Sequence, residues 1–337
     1  MDNWALFVRQ QKTTLMSRVI KKFFTFLCAL FGLCYLGLII YAYLPHEEVP
    51  LAELATPMDQ FIAVDGKQIR YRDYGDGDSI KPNLILMHGF GNTLNTWRHI
   101  VPELQKHYRV IAMDLIGFGL SSKPVSYDYS NENQARTIGL FARGLNLDSL
   151  IIGGHSLGGA IAVHVALHNE TTTGMILFNP GIITTGVPEI TRYLNLIFPF
   201  ARVSAKQFTK RDFREAFLKR SFIHPSIVTD EVVDEIMLGV RSEGYMDGTT
   251  SMMSKYYVAN ELELLPSLDL PTLIIFGQED RTKSIDEAIA LNENIKGSKL
   301  HLIENAGHYV HEEAPEKVTK KIIKEINYLS AQGKIET

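Results

Sequence analysis

Apolar residues fall into two regimes along this chain. From Phe23 to Leu44, 22 consecutive residues carry no charge, enough for one helix across a bilayer core of roughly 30 Å. Farther on the apolar runs are short and separated by turn chemistry or helix-like stretches. They are Asn83–Met87, Arg109–Met113, Ser149–Ile152, Met175–Phe178, Thr272–Phe276 and Lys299–Ile303. Continuous runs of this length suit parallel strands buried on both faces. Helical periodicity lies between them, as in Gln134–Leu145 and Gly158–His168. The alternation predicts an α/β architecture with a mostly parallel, doubly wound sheet. Ahead of it, Asp65-Gly66 sits between two β-prone runs within Phe61–Tyr71 and predicts a tight hairpin. The alternation breaks between Phe178 and Thr272, where the pattern predicts helices over Ile190–Phe198, Lys206–Ser221 and Thr229–Leu238. An insertion of this kind at one end of a sheet reads as a cap.

The chain therefore divides into a basic segment (1–22), a transmembrane helix (23–44), a linker (45–57), a core (58–180 and 266–337) and a helical cap (181–265). Arg9, Lys12, Arg18, Lys21 and Lys22 precede the apolar run, and Glu47, Glu48 and Glu53 follow it. That asymmetry predicts a single pass with a cytoplasmic N-terminus and the folded domain on the opposite side. A cleaved signal peptide fits less well, because the run is longer than the usual apolar region and no small-x-small site follows. Across 337 residues, 34 Lys and Arg against 38 Asp and Glu leave a net charge of -4, which speaks against a nucleic-acid partner. Cys28 and Cys34 both lie in the apolar run, so neither a disulfide framework nor a cysteine metal site is expected. No His-Glu-x-x-His spacing occurs, and Gly117 and Gly119 do not complete a dinucleotide or phosphate loop. No cofactor and no metal are expected.

Gly154-His155-Ser156-Leu157-Gly158 carries the chemistry. It follows an apolar run and precedes a helical one, the context in which a sharp strand-to-helix turn pushes a serine hydroxyl out of the sheet. Such a hydroxyl needs a base, and the base needs an orienting acid. His308, in Ala306-Gly307-His308 after the last apolar run, is the base by position, with His311 as rival. His311 neighbours Glu312 and Glu313 and reads as part of a solvated helix start. Asp280 lies on the loop after Thr272–Phe276, with Glu279 as rival; Asn179, at the other strand end sometimes used, cannot carry the charge. The order Ser156, Asp280, His308 is that of the serine hydrolase arrangement on α/β sheets. The backbone N–H groups of Phe90 and Leu157 are the expected oxyanion donors, and His88 reads as a residue that holds its loop by hydrogen bonding.

With His88-Gly-Phe-Gly, Asp114-Leu-Ile-Gly-Phe-Gly-Leu-Ser, Gly154-His-Ser-Leu-Gly-Gly159, Gly277-Gln-Glu-Asp280 and Ala306-Gly-His308 in this order, the stretch Met58 to Leu329 resembles an α/β-hydrolase. Ser156 departs from the dehalogenase and epoxide-hydrolase pattern, which has Asp there. The anchor joined to this core is similar to membrane-bound monoacylglycerol lipases and esterases. The resemblance implies a carboxylic ester hydrolase acting on an apolar ester such as a monoacylglycerol, close to membrane lipid. Two alternatives stand beside it: a carbon–carbon bond hydrolase of small keto-acids, and a non-catalytic ligand receptor. Within the cap, Ile190, Tyr193, Leu194, Ile197 and Phe198 read as either the cap's own core or a lipid- or acyl-facing side. Lys206, Lys210, Arg211, Arg214, Lys219 and Arg220 form a basic cluster, either solvated or turned toward anionic lipid.

Overall fold

The computed structural model describes residues 2–75, 81–183, 189–255, 261–325 and 328–329. It separates into two compact units, Met1–His46 and Glu47–Thr337. The first unit is one helix, Asp2–Ala42. It starts well before the uncharged run because no Gly or Pro lies between Asp2 and Phe23 to interrupt it. Its Arg18–Ala42 portion is long and apolar enough to cross a membrane.

The second unit is built on an eight-stranded sheet in the order β1-β2-β4-β3-β5-β6-β7-β8. The strands are β1 (Gln60–Val64), β2 (Lys67–Asp73), β3 (Asn83–Met87), β4 (Arg109–Met113), β5 (Leu150–His155), β6 (Thr172–Phe178), β7 (Thr272–Gly277) and β8 (Lys299–Ile303). The expected hairpin joins β1 to β2, with Asp65 at φ 48° and Gly66 at φ 74°, both left-handed as a two-residue connection requires. β2 pairs antiparallel with β4, and all later pairs are parallel. Alternate side chains fill opposite layers: Ile85, Met87, Ile111 and Ile152 face the helices Asn131–Gly144 and Leu157–His168. Leu84, Leu86, Val110 and Ile275 lie in the other layer with Trp97, Val318 and Ile322. Burial on both faces is why these strands read as unbroken apolar runs.

The turn after β4 is organised by Asp114. Its carboxylate accepts from Leu94 N (2.7 Å) and Leu120 N (2.8 Å) and pairs with buried Arg70 (3.1 Å). Arg70 is balanced a second time by Asp59, at 2.8 Å. Gly119 sits at φ 49°, where a Cβ would lie 1.9 Å from Asp114 Oδ2.

Between β6 and β7 lies the cap, with helices Glu189–Asn195, Phe200–Gln207, Arg211–Lys219, Asp230–Arg241 and Tyr245–Lys255. The expected basic cluster is largely consumed within it. Arg211 pairs with Asp230 and Asp234, Lys219 with Glu215, and Arg214 is buried. The apolar series does not form the cap's own core: Ile190, Tyr193, Leu194, Ile197 and Phe198 are all exposed. The short helix Glu189–Asn195 instead docks through Asn195, whose side chain accepts from Ser204 Oγ at 2.9 Å. The start of the second unit is fastened to the cap. Glu48 accepts from Gly244 N (2.7 Å) and Met246 N (2.8 Å), while Val49 exchanges backbone bonds with Arg241 and Glu243.

Gly119→Ala is expected to destabilise the protein by more than about 2 kcal/mol, since it adds strain at a left-handed residue and displaces a buried carboxylate. Urea unfolding of the Glu47–Thr337 segment checks this; an unchanged midpoint would show that the Asp114 turn has room to give.

Candidate active site

Ser156 stands between β5 and the helix Leu157–His168 at φ 50°, ψ −113°, a sparsely populated conformation for a residue with a side chain. The neighbouring glycines explain why. A Cβ on Gly154 would lie 2.1 Å from Gly158 O, and one on Gly158 would lie 2.4 Å from Met87 O. The helix start is pressed onto the strand ends, and the chain reverses in one residue. Ser156 N donates to Phe178 O (3.1 Å) and Ser156 O accepts from Gly181 N (2.8 Å), which fixes the turn.

Asp280 and His308 meet, with Nδ1 and Oδ2 2.7 Å apart. The carboxylate accepts there, so Nδ1 donates, which leaves Nε2 as the ring nitrogen turned away from the acid. Asp280 is heavily supported. Oδ2 also accepts from Asn179 Nδ2 (2.8 Å), and Oδ1 accepts from Thr282 N (2.7 Å), Thr282 Oγ1 (2.7 Å) and Lys283 N (3.2 Å). Burial alone would raise this carboxyl, but the His308 imidazole and the Thr282 donors outweigh it and hold the group at about 2. Glu279, the rival acid, is exposed and accepts from Ala306 N at 3.1 Å instead.

His308 is placed relative to Ser156 through the residue before the serine. His155 Nε2 donates to His308 O at 2.9 Å, and the two rings lie 4.7 Å apart. The Ser156 hydroxyl makes no hydrogen bond among the described residues; contacts of this kind often close only when substrate is bound. Burial pushes His155 and His311 well below the usual imidazole range, so both stay neutral.

His311 corrects the expectation of a solvated helix start. It is fully buried, bonded to Thr96 Oγ1 (2.8 Å) and packed on Trp97 at 4.3 Å. Glu312 is buried with it and pairs with Arg98 at 2.6 Å. Glu313 is also engaged, accepting from Gly307 N (2.7 Å), Ile223 N (2.6 Å) and His224 N (3.0 Å). Apart from Gly307 these partners lie far away in sequence, so local polarity gave no sign of them.

Leu157 follows the serine directly, and the turn that carries Phe90 approaches it through Gly89. A Cβ on Gly89, the residue before Phe90, would come within 3.1 Å of Ser156 Cβ. Neither Phe90 N nor Leu157 N donates to another backbone group among the described residues. His88 behaves as a loop fastener: Nδ1 donates to Gly89 O (2.7 Å) and Nε2 accepts from Leu115 N (3.1 Å). Asn179 and Thr282 were missed as supports of Asp280. A strand-end Asn beside the strand that delivers the acid was the available signal for the first. Among the described residues no group of His, Cys, Asp and Glu is arranged to hold a metal ion.

Residues 82–315 match a family model described as alpha/beta hydrolase fold. A curated relative, the 2-hydroxy-6-oxo-6-(2'-aminophenyl)hexa-2,4-dienoic acid hydrolase of Metapseudomonas resinovorans, is 27% identical over 80% of this chain and 91% of its own length. Among solved structures, a thermophilic esterase from Thermogutta terrifontis is 24% identical with TM-score 0.66, covering 81% of this chain and 99% of the other. A membrane phospholipase A described as a bacterial virulence factor is 22% identical with TM-score 0.65, covering 93% of this chain and 99% of the other. With the matched span taking in the serine turn, the Asp280 loop and the His308 loop together, the chain belongs to the alpha/beta hydrolase fold family and is a hydrolase.

Proposed function

We propose that the protein is a membrane-anchored serine hydrolase that cleaves carboxylic esters of lipids, with monoacylglycerols as the simplest case. The observation that carries this reading is the 2.7 Å bond between Asp280 and His308, beside a serine held in a one-residue reversal. In this mechanism Ser156 Oγ attacks the ester carbonyl carbon and His308 Nε2 takes its proton. Asp280 holds the imidazole tautomer and stabilises the imidazolium. Phe90 N–H and Leu157 N–H receive the negative oxygen, assisted by the start of the helix Leu157–His168. Collapse expels the alcohol, which takes the proton from His308. Water, deprotonated by the same imidazole, then releases the acid from the acyl-enzyme. The Arg18–Ala42 helix supports the anchor, and the exposed apolar side chains of the cap suit a site that draws substrate from lipid. The dienoic acid hydrolase among the relatives supports a second reading, hydrolysis of a carbon–carbon bond in a small keto-acid.

Ser156→Ala is expected to abolish both fluorophosphonate labelling and turnover, a loss of about 10⁴-fold or more in kcat. Retained turnover would assign the nucleophile elsewhere, and cleavage of dienoic keto-acids but of no ester would favour the second reading. In alkaline-carbonate fractionation the full chain should stay with membranes, whereas a chain starting at Pro45 should be released. Because Asp280 is held at about 2, its ionisation stabilises the fold at all pH values above its unfolded pKa near ~4. That contribution is lost as pH falls through about 2. Thr282→Val removes a donor and should raise the Asp280 titration by up to about one unit, read by carboxyl NMR. An unmoved titration would mean that Thr282 contributes nothing.

A further inference from the structure

At the seam between cap and core, a cavity is lined by Phe90, Gly91, Lys123, Arg214, Tyr245 and Thr249, among others. Two buried cations border it, and among the described residues no carboxylate does. Lys123 is fully committed: its ammonium donates to Gly119 O (2.8 Å), Ser121 O (3.0 Å) and Ser242 Oγ (2.7 Å). Arg214 is not. Its Nη2 donates to Gly91 O (2.6 Å) and Ile236 O (3.3 Å), and its Nε is buried without a partner. No carboxylate among the described residues forms an ion pair with it, whereas the other fully enclosed guanidinium, Arg70, has two. A buried charge left in this state is costly unless something neutralises it.

The position of Arg214 indicates what would do so. The loop Gly89-Phe90-Gly91 touches Ser156 at one end and Arg214 at the other. A Cβ on Gly89 would lie 3.1 Å from Ser156 Cβ, and a Cβ on Gly91 would lie 2.8 Å from Arg214 Nη1. Two residues of chain span at most about 7 Å, so a single short turn, the one that carries the Phe90 N–H, separates the serine from the guanidinium. A planar fork of donors suits a carboxylate or a phosphate, which it can bind through two oxygens. Phe90, Phe118 and Phe208 line the same cavity, with the Phe90 ring packed edge to face on the other two at 5.5 and 5.7 Å.

Resting on Ser156 as nucleophile, we propose that Arg214 is a specificity-determining residue that binds an oxyanion, carboxylate or phosphate, carried by the substrate and reaching the far end of the Phe90 turn from the scissile carbonyl. This deepens the ester reading: the preferred lipid or small ester is anionic, not neutral.

The experiment uses the full chain in detergent micelles and two matched pairs of esters. One pair is p-nitrophenyl pentanoate against mono-p-nitrophenyl glutarate, for the carboxylate source. The other is a 1-acylglycerol against the same 1-acylglycerol 3-phosphate, for the phosphate source. The wild type should favour the anionic member of at least one pair by about tenfold or more in kcat/KM, mostly through KM. Arg214→Met should bring that ratio close to one, and Arg214→Lys should retain part of it. Using a ratio removes any general loss caused by releasing Gly91. In parallel, millimolar glutarate or inorganic phosphate should slow fluorophosphonate labelling of the wild type but not of Arg214→Met. Ratios near one for the wild type in both pairs, with no protection by either anion, would overturn the proposal even if the methionine variant did not fold. A preference or protection that survives Arg214→Met would also overturn it. A wild type that never labels removes the nucleophile reading on which the proposal rests, and the proposal falls with it.

Discussion

Backbone pressed on backbone at the end of β5 is the constraint on which the site depends. Gly154 and Gly158 let the helix Leu157–His168 start within contact distance of the strand it follows, closer than any side chain would allow. The chain then has one residue in which to reverse, and that residue is Ser156, at φ 50°. The same closeness leaves Leu157 N–H at an open helix start, beside the Gly89–Phe90 turn that crosses the neighbouring strand end. The serine turn and the N–H groups proposed to receive the oxyanion are thus products of one packing contact. Nothing in this arrangement relies on flexible side chains finding one another, so its cost is met in folding and not during reaction.

The cap is fastened to the loops that bear His308 and Phe90 more than to the strands beneath them. Ser221 O accepts from His308 N (3.3 Å), Glu313 gathers two cap amides and Gly307, Arg214 grips Gly91, and Lys123 reaches Ser242. The first three of these ties end within a residue or a short turn of His308 or Phe90. Rearrangement of the cap would therefore alter the imidazole loop and the oxyanion turn together. A cap sitting on the strands alone would leave both untouched.

Much of this was legible in the chain because it is local. A strand, a turn and a helix around Ser156 occupy neighbouring positions, and so do the loops ending in Asp280 and His308. Strand limits were read short where local polarity misled: Gly153, Gly154 and His155 extend β5, and Thr172 and Thr173 open β6, without apolar side chains to mark them. What stayed hidden depends on partners distant in sequence. His311 and Glu312 look solvated until Thr96 and Arg98 arrive from the far side of the core. Asn179 becomes a support of Asp280 only because β6 and β7 are neighbours in the sheet. Arg211 looks like part of a basic face until Asp230 and Asp234 of the helix Asp230–Arg241 neutralise it. Periodicity reports which side of an element is apolar; it carries no information about which distant group will meet the polar side.

The way the chain enters its second unit has a mechanical consequence. Glu48 and Val49 are fastened to Arg241, Glu243, Gly244 and Met246 before the first strand begins. Tension arriving along the backbone from the N-terminal side is borne first by these bonds. It therefore loads the two longest helices of the lid at their junction, while the pleated scaffold behind them remains unstressed.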